Sequence, residues 1–253
     1  LSASLNVTAL LGIPFVEPGD DIPLLIRTAL TEANITPQDR DVLVVTSKIL
    51  SKAAGRIVHL IDVTPSPQAH HYADLTGKDP RLVELVLQES TRVSRAAPGV
   101  LVVEHRLGFV CANAGIDQSN LKTGDTAALL LPHDPDADAR RIRASIRATY
   151  GVNVGIIISD SHGRPFRMGN IGVAIGVAGM PAILDLRGEL DLYGRDLRIT
   201  IQGYADLVAS AAQLATGEGA EGRPVVLVRG LSYPSTDGYA TDLNRNPAND
   251  LYR

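Results

Sequence analysis

Val42-Leu43-Val44-Val45-Thr46-Ser47-Lys48-Ile49-Leu50-Ser51-Lys52 carries the reading of the fold. The run 42–46 is a short apolar β-branched segment, which predicts a buried strand. The residues from Ser47 read as a helix start, with Gly55 as its stop. A helix over 22–33 and a turn at Pro37 precede the strand. Beyond it, residues 64–80 form a polar stretch containing His70 and His71, read as loop. A helix pattern then places Leu82, Leu85, Val86 and Val93 on one face. Strands are expected over 100–103 and 109–112, joined by a turn at Gly108. Pro135 opens a helix with Ala139, Ile142 and Ile146 on its apolar face, and a buried strand follows over 152–159. A helix over 207–215 and a strand over 225–228 come last. Mixed helices and strands with short connections predict an α+β (mixed α/β) protein built on a mixed β-sheet with flanking helices.

The chain of 253 residues is 45% hydrophobic and 21% charged, with 15 scattered prolines, which excludes a disordered chain or a collagen. It holds one domain over 1–253, with room for two closely packed subdomains. Lys and Arg number 24 against 28 Asp and Glu, a net charge of -4, so neither nucleic acid nor an anionic membrane is an expected partner. Aromatics at 4%, without tryptophan, argue against a base-stacking platform. No apolar run reaches the ~20 residues of a membrane span. Residues 1–11 lack a secretory signal pattern, so the cytoplasm is the expected location. Cys111 has no cysteine partner and reads as core.

The motifs exclude two nucleotide folds. No Gly-x-x-x-x-Gly-Lys-Ser/Thr loop occurs, so the fold is not P-loop. The one Gly-x-Gly-x-x-Gly, at Gly217, Gly219 and Gly222, follows a helix and precedes a strand, the reverse of the dinucleotide-binding order, so it is not Rossmann. Backbone N–H groups of that loop suit phosphates, and a helix end with a flexible connection uses the same residues. The glycines between Gly151 and Gly188 are expected to make tight loops near a ligand or interface, or turns and bulges. Ala112-Asn113-Ala114-Gly115-Ile116-Asp117-Gln118-Ser119-Asn120 and Ser159-Asp160-Ser161 put oxygen donors at strand ends, as hard cations require. Asx turns and caps draw on the same residue types. His162-Gly163-Arg164-Pro165-Phe166-Arg167 adds two arginines suited to phosphate or carboxylate. Ser47, Lys48 and Lys52 form a second basic point. Arg140, Arg141, Arg143 and Arg147 read as a solvated helix face.

Leu11-Gly12-Ile13-Pro14, Thr46-Ser47-Lys48, Ser51-Lys52-Ala53, the Ala112–Asn120 and Ser159–Arg167 motifs and Asp191-Leu192-Tyr193-Gly194 occur in that order. Together they resemble the coenzyme F-420-0:L-glutamate ligase (F-420 γ-glutamyl ligase) family over about Leu10 to Gly230. The resemblance implies a GTP-dependent ligase that adds L-glutamate to F-420-0 and extends a γ-linked tail. It further implies two magnesium or manganese ions per subunit with potassium assisting, and an intertwined homodimer. By matching motif, Asp117, Asp160 and Arg164 would be catalytic. Leu11, Gly12, Ile13, Pro14, Ser47, Lys48, Lys52, Asn120, Thr216, Gly217, Gly219, Glu221 and Gly222 would contact GTP, and Asp117, Asp160, Ser161 and Glu218 would hold metal. The chain departs from the family at Glu218, where glutamine is expected, and at His162, where a larger aromatic is expected. The flavin-reductase-like domain that some bacterial members add is not expected within this length. Two other readings stand beside this one: a non-catalytic nucleotide- or metal-binding protein of the same fold, and a ligase for a different carboxylate acceptor.

Overall fold

Proline with a capping residue before it starts several helices. Ser66, Asp79 and Asp134 each accept a backbone N–H of the following turn, and Pro67, Pro80 and Pro135 occupy the first helical position. Gly77 and Gly151 end two of these helices in the left-handed conformation, at φ 70° and 73°. The computed structural model describes residues 4–122 and 124–250. In chain order the elements are β1 (Asn6–Ala9), α1 (Ile22–Glu32), β2 (Val42–Thr46), α2 (Ser47–Ala53), β3 (Ile57–His59), α3 (Pro67–Thr76), α4 (Pro80–Gln88), β4 (Ser90–Ala97), β5 (Val100–His105), β6 (Val110–Ala112), β7 (Ala127–Leu129), α5 (Pro135–Tyr150), β8 (Gly155–Arg164), β9 (Arg167–Ala178), β10 (Leu184–Asp185), β11 (Ile201–Gln202), α6 (Tyr204–Thr216) and β12 (Val225–Arg229). The fold is α+β. Among the described residues no helix is long and apolar enough to cross a membrane.

The main sheet has the order β1-β12-β2-β8-β9, antiparallel except for the parallel β2/β8 pair. Both its faces are buried, so its central strands are continuously apolar over 42–45, 156–158 and 225–228. Leu43, Val45, Ile156, Ile158, Val225 and Leu227 pack against Ile22, Ile26 and Leu30 of α1 and Ala139, Ile142 and Ile146 of α5. The alternate residues Val42, Val44, Ile157, Val226 and Val228 meet Ala205, Val208, Ala209 and Ala212 of α6. Between α2 and α5 the chain builds a smaller antiparallel sheet, β4-β5-β6. Ala69 and Ala73 of α3, and Val83 and Val86 of α4, pack on its Leu101 and Val103.

Three expectations change. His70 and His71 lie on α3, not in a loop. Alanines rather than large apolar residues mark the buried face of that helix, so its period was hard to see. Val93 belongs to β4, because the chain leaves α4 at Glu89. The strand expected over 152–159 starts at Gly155 and runs on to Arg164. The glycines of this region have a further role: a Cβ on Gly172 would lie 2.6 Å from the Ala209 carbonyl oxygen, and one on Gly176 2.5 Å from that of Pro135. Their bare backbones let α6 and α5 lie against β9. Gly172→Ala and Gly176→Ala should each destabilise the fold by about 1–3 kcal/mol or more, the cost of overpacking, read by urea denaturation.

Glu89 ties the small sheet to its neighbours. It accepts hydrogen bonds from Arg56 Nη2 (2.8 Å) and Arg106 Nε (3.0 Å), with His105 Nε2 3.6 Å away. Burial alone would raise its carboxyl, but the His105 ring and then the Arg56 and Arg106 guanidiniums beside it hold it down at about 2. The folded value lies below the ordinary 4.5, so the stabilisation is complete above 4.5 and is lost as pH falls toward 2. Glu89→Gln should therefore cost about 3 kcal/mol at pH 7. That gap should narrow steadily in urea melts taken from pH 4.5 downward.

Candidate active site

Sheet register brings the candidate residues together. Thr46 of β2 stands opposite Ser159 of β8, so Ser47 and Lys48 emerge beside Asp160 and Ser161. β12 runs antiparallel to β2, and Thr46 N donates to Pro224 O at 2.9 Å, which brings the preceding glycine loop to the same edge. Leu10 N donates to Val225 O at 2.8 Å, which starts the 11–18 loop there as well. These segments enclose a cleft of about 1310 Å³.

Ile13, Pro14, Ser47, Lys48, Lys52, Asp117, Asn120, Asp160, Ser161, Thr216, Gly217, Glu218, Gly219, Glu221 and Gly222 all line the cleft. Leu11 and Gly12 precede the lining segment, and Leu11 is 64% exposed. Arg164 is also outside the lining. It sits at the far end of β8 and donates from Nη2 to Met168 O at 2.9 Å, across the β8/β9 hairpin, so within this chain it does not join the two aspartates.

Lys48 Nζ lies 2.5 Å from Asp117 Oδ2 and 3.0 Å from Ser119 Oγ. Ser119 donates to Asp117 from its backbone N (2.7 Å) and its hydroxyl (3.1 Å), closing an Asx-type turn. Burial pushes the Asp117 carboxyl up, but the Lys48 ammonium and the Ser119 donors hold it below the usual carboxylate range. Lys52 Nζ donates to Asn120 O at 2.9 Å; burial and the neighbouring Lys48 charge lower its pKa. Asp160 Oδ1 accepts from Ser47 Oγ at 3.1 Å. Ser161 Oγ donates to Glu218 Oε1 at 2.7 Å, and Gln213 Nε2 donates to both partners of that pair. The Glu221 carboxylate turns back to Gly219 N at 2.8 Å. Backbone N–H bonds, its own first and then that of Gly219, lower its pKa.

The sequence reading missed Ser119 and Gln213 as site residues. Ser119 lies inside a motif already singled out. Gln213 had no signal, because glutamine on a helix reads as solvated surface. Cys111 is buried core as expected, and burial pushes its thiol up to about 12. Among the described residues no three His, Cys, Asp or Glu side chains converge to hold an ion alone. The donors present are oxygens in ones and twos. That suits a magnesium-like cation completing its shell with phosphate and water oxygens rather than a protein-only cage.

An α+β fold whose strand ends present lysines, carboxylates and a glycine loop to one cleft lies outside the P-loop and Rossmann types. The profile of the F420-0:Gamma-glutamyl ligase family matches residues 11–230, and the chain belongs to that family. It is 46% identical over 244 residues to the coenzyme F420:L-glutamate ligase of Methanothermobacter thermautotrophicus, covering 96% of each chain. It is 44% identical over 243 residues to that of Methanopyrus kandleri, covering 94% of this chain and 93% of the relative. The Archaeoglobus fulgidus protein of the same name is 42% identical over 242 residues, 96% of this chain and 94% of the relative.

Lys48→Met removes the only ion-pair partner that Asp117 has among the described residues and leaves its burial in place. The Asp117 carboxyl should then titrate at higher pH than in the wild type, as followed by carbon NMR of labelled aspartate.

Proposed function

We propose that this chain joins L-glutamate to coenzyme F-420-0 and extends a γ-linked tail, using GTP. The observation that supports this best is the meeting of Lys48 and Lys52 with Asp117, Asp160, Ser161 and Glu218 in one cleft, in a chain whose relatives bear the name coenzyme F420:L-glutamate ligase.

A carboxylate is a poor acyl donor, so the reaction calls for activation. A carboxylate oxygen of F-420-0 attacks the γ-phosphorus of GTP; the bond to the bridging oxygen breaks and GDP leaves. The resulting acyl phosphate is attacked at its carbonyl carbon by the glutamate amine. Phosphate leaves, the amine gives up a proton and an amide remains. Phosphoryl transfer of this kind depends on positioning and charge neutralisation more than on a protein nucleophile. Lys48 and Lys52 are suited to phosphate oxygens as point charges. The 216–223 loop lines the same cleft, on the side where a nucleotide would lie.

The charge balance of the cleft favours divalent cations as companions of the nucleotide. Its carboxylates, Glu17, Asp117, Asp160, Glu218 and Glu221, outnumber its cations, Lys48, Lys52, Lys122 and Arg223. Lys48 and Lys122 are already paired with Asp117 and Glu17. A triphosphate would add further negative charge to this surface. Asp117, Asp160, Ser161 and Glu218 would hold magnesium or manganese, two ions per subunit, and the ions would supply neutralisation of phosphate charge. Potassium as a further aid rests on family likeness alone. A homodimer in the cytoplasm completes the reading. The exposed side chains of Phe166, Met168 and Leu192 offer apolar surface for the subunit contact.

Mass spectrometry of F-420-0 incubated with the protein, GTP, L-glutamate and manganese should show successive additions of glutamyl residues. Asp160→Asn should keep the wild-type melting temperature and yield no product. GTP hydrolysis without glutamylated product would redirect the assignment to another acceptor. Unchanged turnover in Asp160→Asn would remove Asp160 from the site.

A further inference from the structure

We infer that His162 is a positioning residue that fixes the Asp160 carboxylate in the orientation in which it meets a divalent cation. The inference rests on the proposed role of Asp160 as a cation ligand. Asp160 and His162 are two residues apart on β8, so both side chains leave the same face of the strand. His162 Nε2 lies 3.1 Å from Asp160 Oδ2. A carboxylate only accepts, so this nitrogen carries the proton and donates. Ser47 Oγ holds the other oxygen, Oδ1, at the same 3.1 Å. One hydrogen bond leaves a carboxylate free to turn about its last torsion, whereas a donor on each oxygen fixes the plane. Each oxygen keeps a further lone pair for a metal ion.

The imidazole is itself held. Its side chain is only 13% exposed. Its ring centroid lies 5.1 Å from that of Phe109, with the planes tilted by 50°. Phe109 in turn stacks on the fully buried His105 at 5.1 Å and 3°. The backbone of Gly115, at φ 65°, also comes close to this carboxylate, but a Cβ there would clash with Leu131 at 2.7 Å rather than with Asp160 Oδ2, which it would meet at 3.4 Å. Groups that hydrogen-bond a metal-ligating carboxylate typically contribute 10–100-fold to metal affinity. The simpler role for His162 is to fill the space beside Phe109, and any flat ring would serve that role equally.

The two roles separate in His162→Phe, which keeps a ring against Phe109 and loses the N–H, and His162→Gln, which keeps an N–H donor. Manganese binding to the full chain, with and without GTP, is followed by the paramagnetic resonance signal of free ion. His162→Phe should weaken manganese binding about 10-fold, and His162→Gln should recover most of that loss. With the reaction running, the manganese concentration for half-maximal rate should rise in the Phe variant while kcat at saturating metal stays near wild type. Should the Phe variant fail to fold, His162→Leu supplies the same comparison. Wild-type manganese affinity in a folded variant lacking the donor overturns the inference if Asp160→Asn does weaken binding. If Asp160→Asn also binds as the wild type does, the cation role of Asp160 falls and the inference falls with it.

Discussion

The parallel pairing of β2 with β8 is the constraint on which the site depends. It sets Thr46 against Ser159, and so decides that Ser47 and Lys48 stand next to Asp160 and Ser161. Parallel neighbours end at the same edge, whereas antiparallel strands of this length would put those pairs at opposite ends of the sheet. The two antiparallel strands beyond β2 then do the complementary work. β12 arrives at that edge with its start, β1 leaves it with its end, and the glycine loop and the 11–18 loop fall beside the parallel pair. Burial on both faces keeps the register. A slip of one residue would send Leu43, Val45, Ile156 and Ile158 to the α6 side and their alternates to the α1/α5 side. The two faces hold residues of different size, so neither set fits the other's place. Core packing several residues away thus fixes the spacing of lysine and carboxylate in the cleft.

Close helix packing stiffens the same frame. Gly172 and Gly176 take α6 and α5 onto β9 at backbone distance, one helix on each face. Gly172 stands opposite Ser161 in the β8/β9 ladder, and Ser210 of α6 donates to its carbonyl at 2.7 Å. That anchors the helix whose end supplies Gln213, Thr216 and the glycine loop. The bond from Gln213 to Ser161 therefore joins two elements already fixed to one another.

What could be read from the chain beforehand follows from the kind of signal each element carries. Val42–Thr46, Val225–Arg229 and the α5 face at Ala139, Ile142 and Ile146 were legible because large apolar residues at consecutive or helical spacing have few other homes. The inverted order around Gly217, Gly219 and Gly222 was legible too, and it excluded the Rossmann arrangement correctly. Strand order was not, since both-face burial removes the alternation that would orient each strand. Helix α3 hid behind alanines and histidines. The pairing of Lys48 with Asp117 spans 69 positions of sequence, and no local pattern encodes a contact of that range. Gly172 and Gly176 read as loop residues because a glycine in a strand and one in a turn look alike until the neighbouring helix is in place.

That Lys48–Asp117 pair also carries the energetic logic of the proposed reaction. Both side chains are about one-third exposed, so the pair is partly solvated and contributes on the order of 1 kcal/mol. An ammonium held that weakly is free to turn to a phosphate, whose charge is greater than that of one carboxylate. Were Lys48 to turn, Asp117 would be left partly buried with Ser119 as its one donor among the described residues, and a carboxylate in that state favours a cation close by. Nucleotide and metal ion would then each lower the cost of admitting the other, and the coupling would pass through a single lysine. Among the described residues Asp160 has no lysine or arginine within ion-pair range, and it is held by neutral Ser47 and by the ring of His162 instead. On the proposed reaction the two aspartates would act differently: Asp117 would be released by an arriving phosphate, whereas Asp160 is already held on both of its oxygens.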